Sequence, residues 1–442
     1  MVKIFSLFLL IQLSLFAQEL NINIVNFSGK ATLHKIEGEK LTFIDSLDTD
    51  NNSISYVNKN LKNGLYKIIF AHNKWLNIVY DGKNIKLKTD YKNILDSLKI
   101  LKSESNKLYY KFLKLNKDYK TKTELLNIII THYPKEDDYY KATQTKLASV
   151  QKEYDNFINI ESQENPKLFI ARYIKSAQLP IIPQKISQQE QLNFLKNNSL
   201  KNVNFDDIEL INSDVFANKS IEYLTYFRNP QLPKELLEQK FMKAVDTLLH
   251  KAKINIFVYQ HLTEYLIDGF KKFGFDKIID YIVENYVVKD DLCLDETLEN
   301  SIEKRIEQSK ILAKGRKVPN ILMPDKNGKV YELFKSNSEK TLLVFYSSEC
   351  PHCKELLPKL KEISTNVEII AISLDTKRED WLNFVEKNKL NFTNINDPNG
   401  WNGDLATDFY IYATPTMFLL DKDKKIIAKP TKYIELLKHL KN

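Results

Sequence analysis

Cysteine is nearly absent, with three in 442 residues. That excludes a framework of disulfides as the source of the fold's stability. It also starves a structural zinc site, which needs four ligands, because the 7 histidines form no cluster that would complete a pair of thiolates. Glycine is scarce too, at 10, and neither GxGxxG nor a Gly-Lys-Ser/Thr pattern occurs, which argues against a phosphate-cradling loop. No stretch of eighteen continuous apolar residues marks a membrane span. The net charge of +8 comes from lysines interleaved with acids, without a basic stripe or interleaved aromatics. It reads as a solvated lysine-rich surface, and no nucleic-acid partner is expected.

What is present starts with length and core material. At 442 residues and 43% hydrophobic, the chain has enough for two or three packed domains. Residues 1–17 read as a secretory signal. Lys3 supplies the positive start, residues 4–16 are apolar except for Ser6, Gln12 and Ser14, and Ala17 before Gln18 is the cleavage point. The alternative is retention as an uncleaved anchor. No cysteine stands near the cleavage point, which argues against lipid attachment. Export, with the periplasm as destination, would let exposed thiols cycle against other exported proteins.

The stretch with the most chemistry is Tyr346-Ser347-Ser348-Glu349-Cys350-Pro351-His352-Cys353-Lys354. The apolar run Thr341-Leu342-Leu343-Val344-Phe345 before it reads as a buried strand, and residues 355–363 after it as a helix. A thiol at a helix N-terminus meets unpaired N–H groups and the positive end of the dipole, which favour a thiolate. Cys353, one turn inside, is close enough to close a disulfide with Cys350. A c-type haem needs His directly after the second cysteine, where Lys354 stands. A purely structural disulfide across so short a loop would contribute little. The pair reads as redox-active. Cys293, flanked by Leu292 and Leu294, reads as a buried structural thiol rather than a third redox partner.

A second landmark is Ile411-Tyr412-Ala413-Thr414-Pro415-Thr416, followed by Met417-Phe418-Leu419-Leu420 and the turn Asp421-Lys422-Asp423. Alone, a proline before a strand is ordinary punctuation. Together with the cysteine pair it completes a pattern. Residues 315–442 resemble a thioredoxin-like domain of the TlpA/ResA branch of thiol–disulfide oxidoreductases. The likeness is carried by Val318-Pro319-Asn320, the turn Asp325-Lys326-Asn327-Gly328-Lys329, the cysteine pair, Pro358, the run from Ile369 to Asp375, and Thr414-Pro415-Thr416. It implies a cis-proline at Pro415 facing the cysteines, Thr414 lining the substrate face, and a kink at Pro358. It also implies cysteine-containing protein substrates and a membrane or exported thiol–disulfide electron partner. No cofactor and no stable metal are expected.

The rest of the chain completes a multidomain α+β architecture. Residues 18–100 alternate as strands, at Leu20–Val25, Leu41–Ile44, Leu65–Phe70, Leu76–Tyr80 and Ile85–Leu87, and read as a small antiparallel β-domain. Asp81-Gly82 signals a hairpin between the last two. This part resembles the N-terminal β-domain of unknown function that often precedes thioredoxin modules in exported bacterial proteins, at Gly64-Leu65-Tyr66 and Asp45-Ser46. His34 and His72 read as surface residues. Residues 103–310 carry helical spacing and read as an all-α domain. Ser103 or Ser105 is its first N-cap, and Leu147, Val150, Tyr154, Phe157 and Ile158 form one core stripe. The aromatic stripes are assigned to packing rather than to a cofactor groove. Residues 301–314 read as a polar helix and 314–317 as a hinge into the thioredoxin-like domain, residues 315–442.

In chemical terms, Cys350 is the expected nucleophile and Cys353 the resolving thiol. Pro351 sits at the first helical position, where its missing N–H costs nothing. His352 adds positive charge that lowers the Cys350 pKa. Two positions depart from thioredoxins. Val344 stands where a buried acid handles the resolving-thiol proton, and Glu349 stands where Trp is usual. Glu349 either turns inward and takes over that proton or is solvated. The Pro-His dipeptide matches strongly oxidising enzymes of the DsbA kind, whereas the surrounding domain matches reductants. The two classes differ by about 150 mV, roughly 7 kcal/mol for two electrons. A disulfide reductase is the primary reading, and an oxidase or isomerase the alternative. A peroxiredoxin is disfavoured because Leu343 occupies the position of its motif proline. A ligand- or protein-binding exported protein with a thioredoxin-like scaffold is the reading of another class.

Overall fold

A computed structural model describes residues 19–57, 61–184, 186–294 and 300–441. The proposed signal, residues 1–17, lies outside them. Among the described residues no helix is long and apolar enough to cross a membrane. The chain divides into two compact units, Met1–Gly269 and Phe270–Asn442, so the division falls inside the stretch assigned to the helical domain.

In the first unit, β1 (Glu19–Val25), β2 (Lys30–Glu37), β3 (Lys40–Asp48), β4 (Ser53–Val57), β5 (Gly64–Ile69), β6 (Trp75–Tyr80), β7 (Ile85–Asp90) and β8 (Lys99–Lys102) form two four-stranded sheets. Their orders are β4-β1-β7-β8 and β3-β2-β5-β6. Alternation drives both. Leu20, Ile22 and Ile24 of β1, Tyr66 and Ile68 of β5, and Ile85 and Leu87 of β7 enter one shared core. Each such buried side chain contributes about 1.5–3 kcal/mol. All pairings are antiparallel except β1 with β7, which run parallel with Ile22 opposite Leu87. The Asp81-Gly82 hairpin does not form. Gly82 makes the turn with φ +75°, but β6 pairs with β5 and β7 with β1, in different sheets. A local turn signal fixes the change of direction, and the core decides which sheet receives the next strand.

Among the described residues seven helices follow: α1 (Glu104–His132), α2 (Asp138–Glu164), α3 (Phe169–Ala177), α4 (Gln188–Asn198), α5 (Val215–Thr225), α6 (Lys234–Ala252) and α7 (Ile256–Lys272), the last of which crosses the division at Gly269. Ser103 caps α1 by accepting the Asn106 N–H at 3.2 Å, while Ser105 lies inside the helix and donates to Asp81. Asn106 joins helix to sheet, accepting the Val79 N–H at 2.9 Å and donating to the Val79 carbonyl at 2.8 Å. The aromatic stripes are core, as in the stacked Tyr119 and Tyr154 rings 4.0 Å apart. His72 is exposed and His34 half-buried beside the Thr32 hydroxyl.

The second unit contains α8 (Asp276–Ile282), a π-helical turn Val283–Val288, and α9 (Asn300–Ile311). Two short paired strands follow, β9 (Leu322–Pro324) and β10 (Val330–Glu332). The main sheet has the order β13-β12-β11-β14-β15. Its strands are β11 (Thr341–Tyr346), β12 (Glu368–Ser373), β13 (Thr393–Asn396), β14 (Thr416–Leu420) and β15 (Ile426–Ala428). The helices α10 (Pro351–Lys359), α11 (Arg378–Lys387), α12 (Asp404–Asp408) and α13 (Tyr433–Lys441) complete it. β11 runs parallel to β12 and antiparallel to β14, and every residue in it is buried. Its side chains feed two cores, Leu342, Val344 and Tyr346 into one and Leu343 and Phe345 into the other. A continuous apolar run belongs to a central strand covered on both faces.

Two expectations change here. The stretch read as a hinge is paired backbone: Gly315 N–H donates to the Ile426 carbonyl at 2.8 Å, Ile426 N–H to Arg316 at 2.9 Å, and Val318 N–H to Lys424 at 3.1 Å. The segment lies along β15, because an edge strand offers a row of unpaired groups that this extended stretch satisfies. Cys293 is exposed, not buried; of its neighbours, Leu292 turns into the core.

Candidate active site

The sheet delivers the chain to the site. β11 ends at Tyr346, Ser347–Glu349 make a short loop, and Cys350 is the N-cap of α10 with Pro351 at its first position. The helix thus begins four residues earlier than its periodicity indicates, with Cys353 inside its first turn. Pro358 lies within α10, which tightens to a 3-10 turn over Leu360–Ile363.

One carboxylate holds the loop. Asp375, just past β12 and buried, accepts the Ser347 hydroxyl at 2.9 Å, the Ser348 N–H at 3.0 Å and the Ser373 hydroxyl at 2.8 Å. Parallel register explains the meeting, since Tyr346 and Ser373 are opposite partners and the chain leaves both strands at the same level. Asp375 was legible only as the end of a strand run. The signal that would have found it is a carboxylate at a strand's C-terminal edge, next to the strand that delivers the cysteines.

The two thiols are free and differ in environment. Cys350 is partly exposed, and Cys353 is fully buried in the core with Val344, Leu357 and Trp381. Burial raises the Cys350 pKa. Hydrogen bonds from the Cys353 thiol and N–H, the Thr414 side chain and the His352 N–H outweigh it, and the net shift is downward. Burial pushes the Cys353 thiol up to about 12, helped by its hydrogen bond to Cys350 and the charge there.

Across from the pair, the Thr414–Pro415 peptide bond is cis and leads into β14. The Thr414 carbonyl oxygen accepts from Cys350 Sγ at 3.3 Å. The geometry therefore brings Cys350, Cys353 and Thr414 together, with Pro415 on the same loop. Pro351 and His352 are exposed; His352 acts on Cys350 through its backbone, and its ring lies near Glu355. Glu349 points to solvent, so it is not turned toward the buried thiol. Val344 is fully buried and apolar, on the face that holds Cys353. Among the described residues no group of three or more His, Cys, Asp or Glu side chains is placed to hold a metal.

This arrangement suits thiol–disulfide exchange: one reactive, reachable thiol and one protonated, sheltered thiol beside the Thr414 carbonyl. Comparisons with known proteins agree. Residues 337–426 match a family described as thioredoxin-like. ResA, a thiol–disulfide oxidoreductase of Bacillus thuringiensis subsp. konkukian, is 33% identical over 122 residues, which is 26% of this chain and 68% of that protein. Sporulation thiol–disulfide oxidoreductase A of Bacillus subtilis is 29% identical over 99 residues, 21% of this chain and 58% of that one. Among solved structures, the C-terminal domain of a putative thiol–disulfide oxidoreductase from Bacteroides thetaiotaomicron is 25% identical. It covers 30% of this chain and 95% of its own, with a TM-score of 0.28. The likeness to ResA over two thirds of that protein's length makes this chain a member of the ResA/TlpA-type, thioredoxin-like thiol–disulfide oxidoreductases.

Proposed function

We propose that the chain is an exported reductase of protein disulfides acting through Cys350 and Cys353. The observation that carries this reading is the contrast between the two thiols: Cys350 is reachable with its pKa lowered, while Cys353 is buried and protonated one turn behind it.

The Cys350 thiolate attacks one sulfur of a substrate disulfide. A mixed disulfide forms, and the other substrate sulfur leaves as a thiolate that takes a proton from solvent. Cys350 then no longer carries charge. Two of the influences that raised Cys353, the hydrogen bond to Cys350 and its charge, disappear, and only burial still opposes ionisation. Cys353 loses its proton and attacks Cys350 Sγ. The second substrate thiolate leaves, and a Cys350–Cys353 disulfide remains. Two electrons have passed to the substrate, and a membrane or exported dithiol donor returns them. The Thr414 carbonyl and Pro415 receive the substrate chain beside the sulfurs. With Val344 in the acid's place and Glu349 in solvent, the Cys353 proton leaves to water rather than to a buried carboxylate.

Export is inferred from residues 1–17. Mass spectrometry of the periplasmic fraction tests it: a mature chain starting at Gln18 supports it, and an intact Met1 in the cytoplasm opposes it. The activity is tested by insulin-disulfide reduction. Turnover by the full chain and its loss in Cys350→Ser are expected; full turnover by the variant defeats the assignment.

The ligand-binding reading has one observation behind it, a cavity of about 470 Å3 in the first unit, lined by Lys35, Glu37, Phe257 and His261 among others. Burial lowers the His261 pKa to about 4, partly opposed by Glu37, so its imidazole is neutral there. Neutral His261 gives the cavity a donor and an acceptor between apolar and charged walls. Loss of a ligand's thermal stabilisation in His261→Leu is the expected signature of this reading.

A further inference from the structure

The loop before Pro415 is fastened from behind by residues that precede the thioredoxin-like family match. Tyr412, two residues before Thr414, donates its hydroxyl to Asp280 Oδ1 of α8 at 3.0 Å. Arg305 of α9 donates to the same Oδ1 at 2.6 Å and to Asp276 Oδ1 at 2.6 Å. Its guanidinium carbon stands 4.3 Å from the centre of the Tyr412 ring. Gln308 Nε2 donates to the carbonyls of Phe409 and Tyr410, both at 3.1 Å. Arg305 and Gln308 are buried, and Leu312, just past the end of the same helix, joins the core that holds Phe409 and Ile411.

The loop emerges from this clamp and two residues later presents the Thr414 carbonyl to Cys350. Two residues span at most about 7 Å, so a displacement at Tyr412 has little chain in which to dissipate. Stability alone does not account for the clamp. A buried ion pair contributes about as much as apolar residues of the same size, whereas its directional bonds define one geometry. Gln308 likewise satisfies two carbonyls of irregular backbone that no strand pairs.

We propose that Arg305, Asp280, Tyr412 and Gln308 are positioning residues for thiol–disulfide exchange, setting where the Thr414 carbonyl stands relative to Cys350 and hence how a substrate chain is received. This rests on the oxidoreductase reading above. It makes α8 and α9 part of the catalytic module, although they lie before the thioredoxin-like sheet.

The test uses the full-length chain in a Cys293→Ser background. Tyr412→Phe removes one hydroxyl and keeps the ring under Arg305. Gln308→Met removes two donors at constant length. Lys277→Ala is the control: it breaks the 2.7 Å pair of α8 with Glu435 and does not touch the loop. For each variant, insulin-reduction kcat and KM, the Cys350 alkylation rate and the unfolding midpoint are measured. The expected result for Tyr412→Phe and Gln308→Met is a KM raised about 5- to 20-fold with kcat within about threefold. A Cys350 alkylation rate changed at least twofold accompanies it, and the control keeps wild-type kinetics. Wild-type KM and alkylation in both variants, with only the unfolding midpoint lowered as in the control, overturns the proposal. If the wild-type chain reduces no insulin, the reductase reading fails, and the alkylation rates alone then decide whether the clamp positions the loop.

Discussion

Cys350 Sγ and the carbonyl oxygen of Thr414 stand 3.3 Å apart, although 64 residues separate them in the chain. The thiol can donate to that carbonyl only while protonated. Ionisation turns Cys350 into an acceptor, served instead by the N–H groups of the first helical turn and the Cys353 thiol. The sulfur thus exchanges partners as its charge changes, and the Thr414 carbonyl loses the thiol as a donor.

Replacing one cysteine at a time separates the two half-reactions. Cys350→Ser is expected to reduce insulin no faster than buffer. Cys353→Ser keeps the attacking thiol and loses the resolving one, so it accumulates mixed disulfides with substrate. Non-reducing gels show these as bands that dithiothreitol removes.

The two thiols also titrate apart. A lowered pKa means that Cys350 holds more thiolate at pH 7 than an ordinary cysteine of pKa 9.0, so its alkylation rate rises to half-maximum below pH 9.0. Cys353, raised to about 12, stays protonated and unmodified throughout that range. Iodoacetamide labelling of a Cys293→Ser chain across pH, read by peptide mass, checks both statements. Equal labelling of the two cysteines at pH 8 contradicts them.

Asp375→Ala removes the acceptor that ties Ser347, Ser348 and Ser373 together. Bonds to a charged group contribute about 1.5–3 kcal/mol each, and the buried Ser348 N–H is left unpaired. A loss of about 3 kcal/mol is expected in urea denaturation. Asp375→Asn keeps two acceptor positions on one oxygen and is expected to lose less. A variant as stable as wild type removes Asp375 from the account.

Glu349→Gln is expected to change insulin reduction by less than about twofold, since a solvated side chain away from Cys353 has no proton to receive. A tenfold fall in the release of mixed disulfides would show that Glu349 reaches inward during the reaction.

The parts legible in the sequence are those whose cause is local. Cys350 and Cys353 flank a helix start, β1 and β5 alternate, and α2 repeats its apolar residues at helical spacing, each within a few positions. What stayed hidden depends on partners far along the chain. Asp375 meets Ser347 through strand register. Arg305 stands in a stretch that reads only as a polar helix, yet it pairs with Asp280, 25 positions away, and packs on the Tyr412 ring. Asp81-Gly82 announced a turn correctly, but whether β7 joins β6 or β1 is settled by the shared core. Gly315 and Arg316 have a hinge's composition, yet β15 had unpaired groups to satisfy. At Cys293 the flanking leucines suggested burial, yet Leu292 is buried and Cys293 itself is exposed.

The most direct test of the account is the equilibrium reduction potential of the Cys350–Cys353 couple, titrated against glutathione and followed by thiol labelling. The account predicts a two-electron transition, about 30 mV per tenfold change in ratio, with a midpoint near the thioredoxin value of about −270 mV. A midpoint near −120 mV, as in DsbA, would contradict the reductase assignment and make the chain a source of disulfides. A failure of the two thiols to titrate together would remove the couple itself.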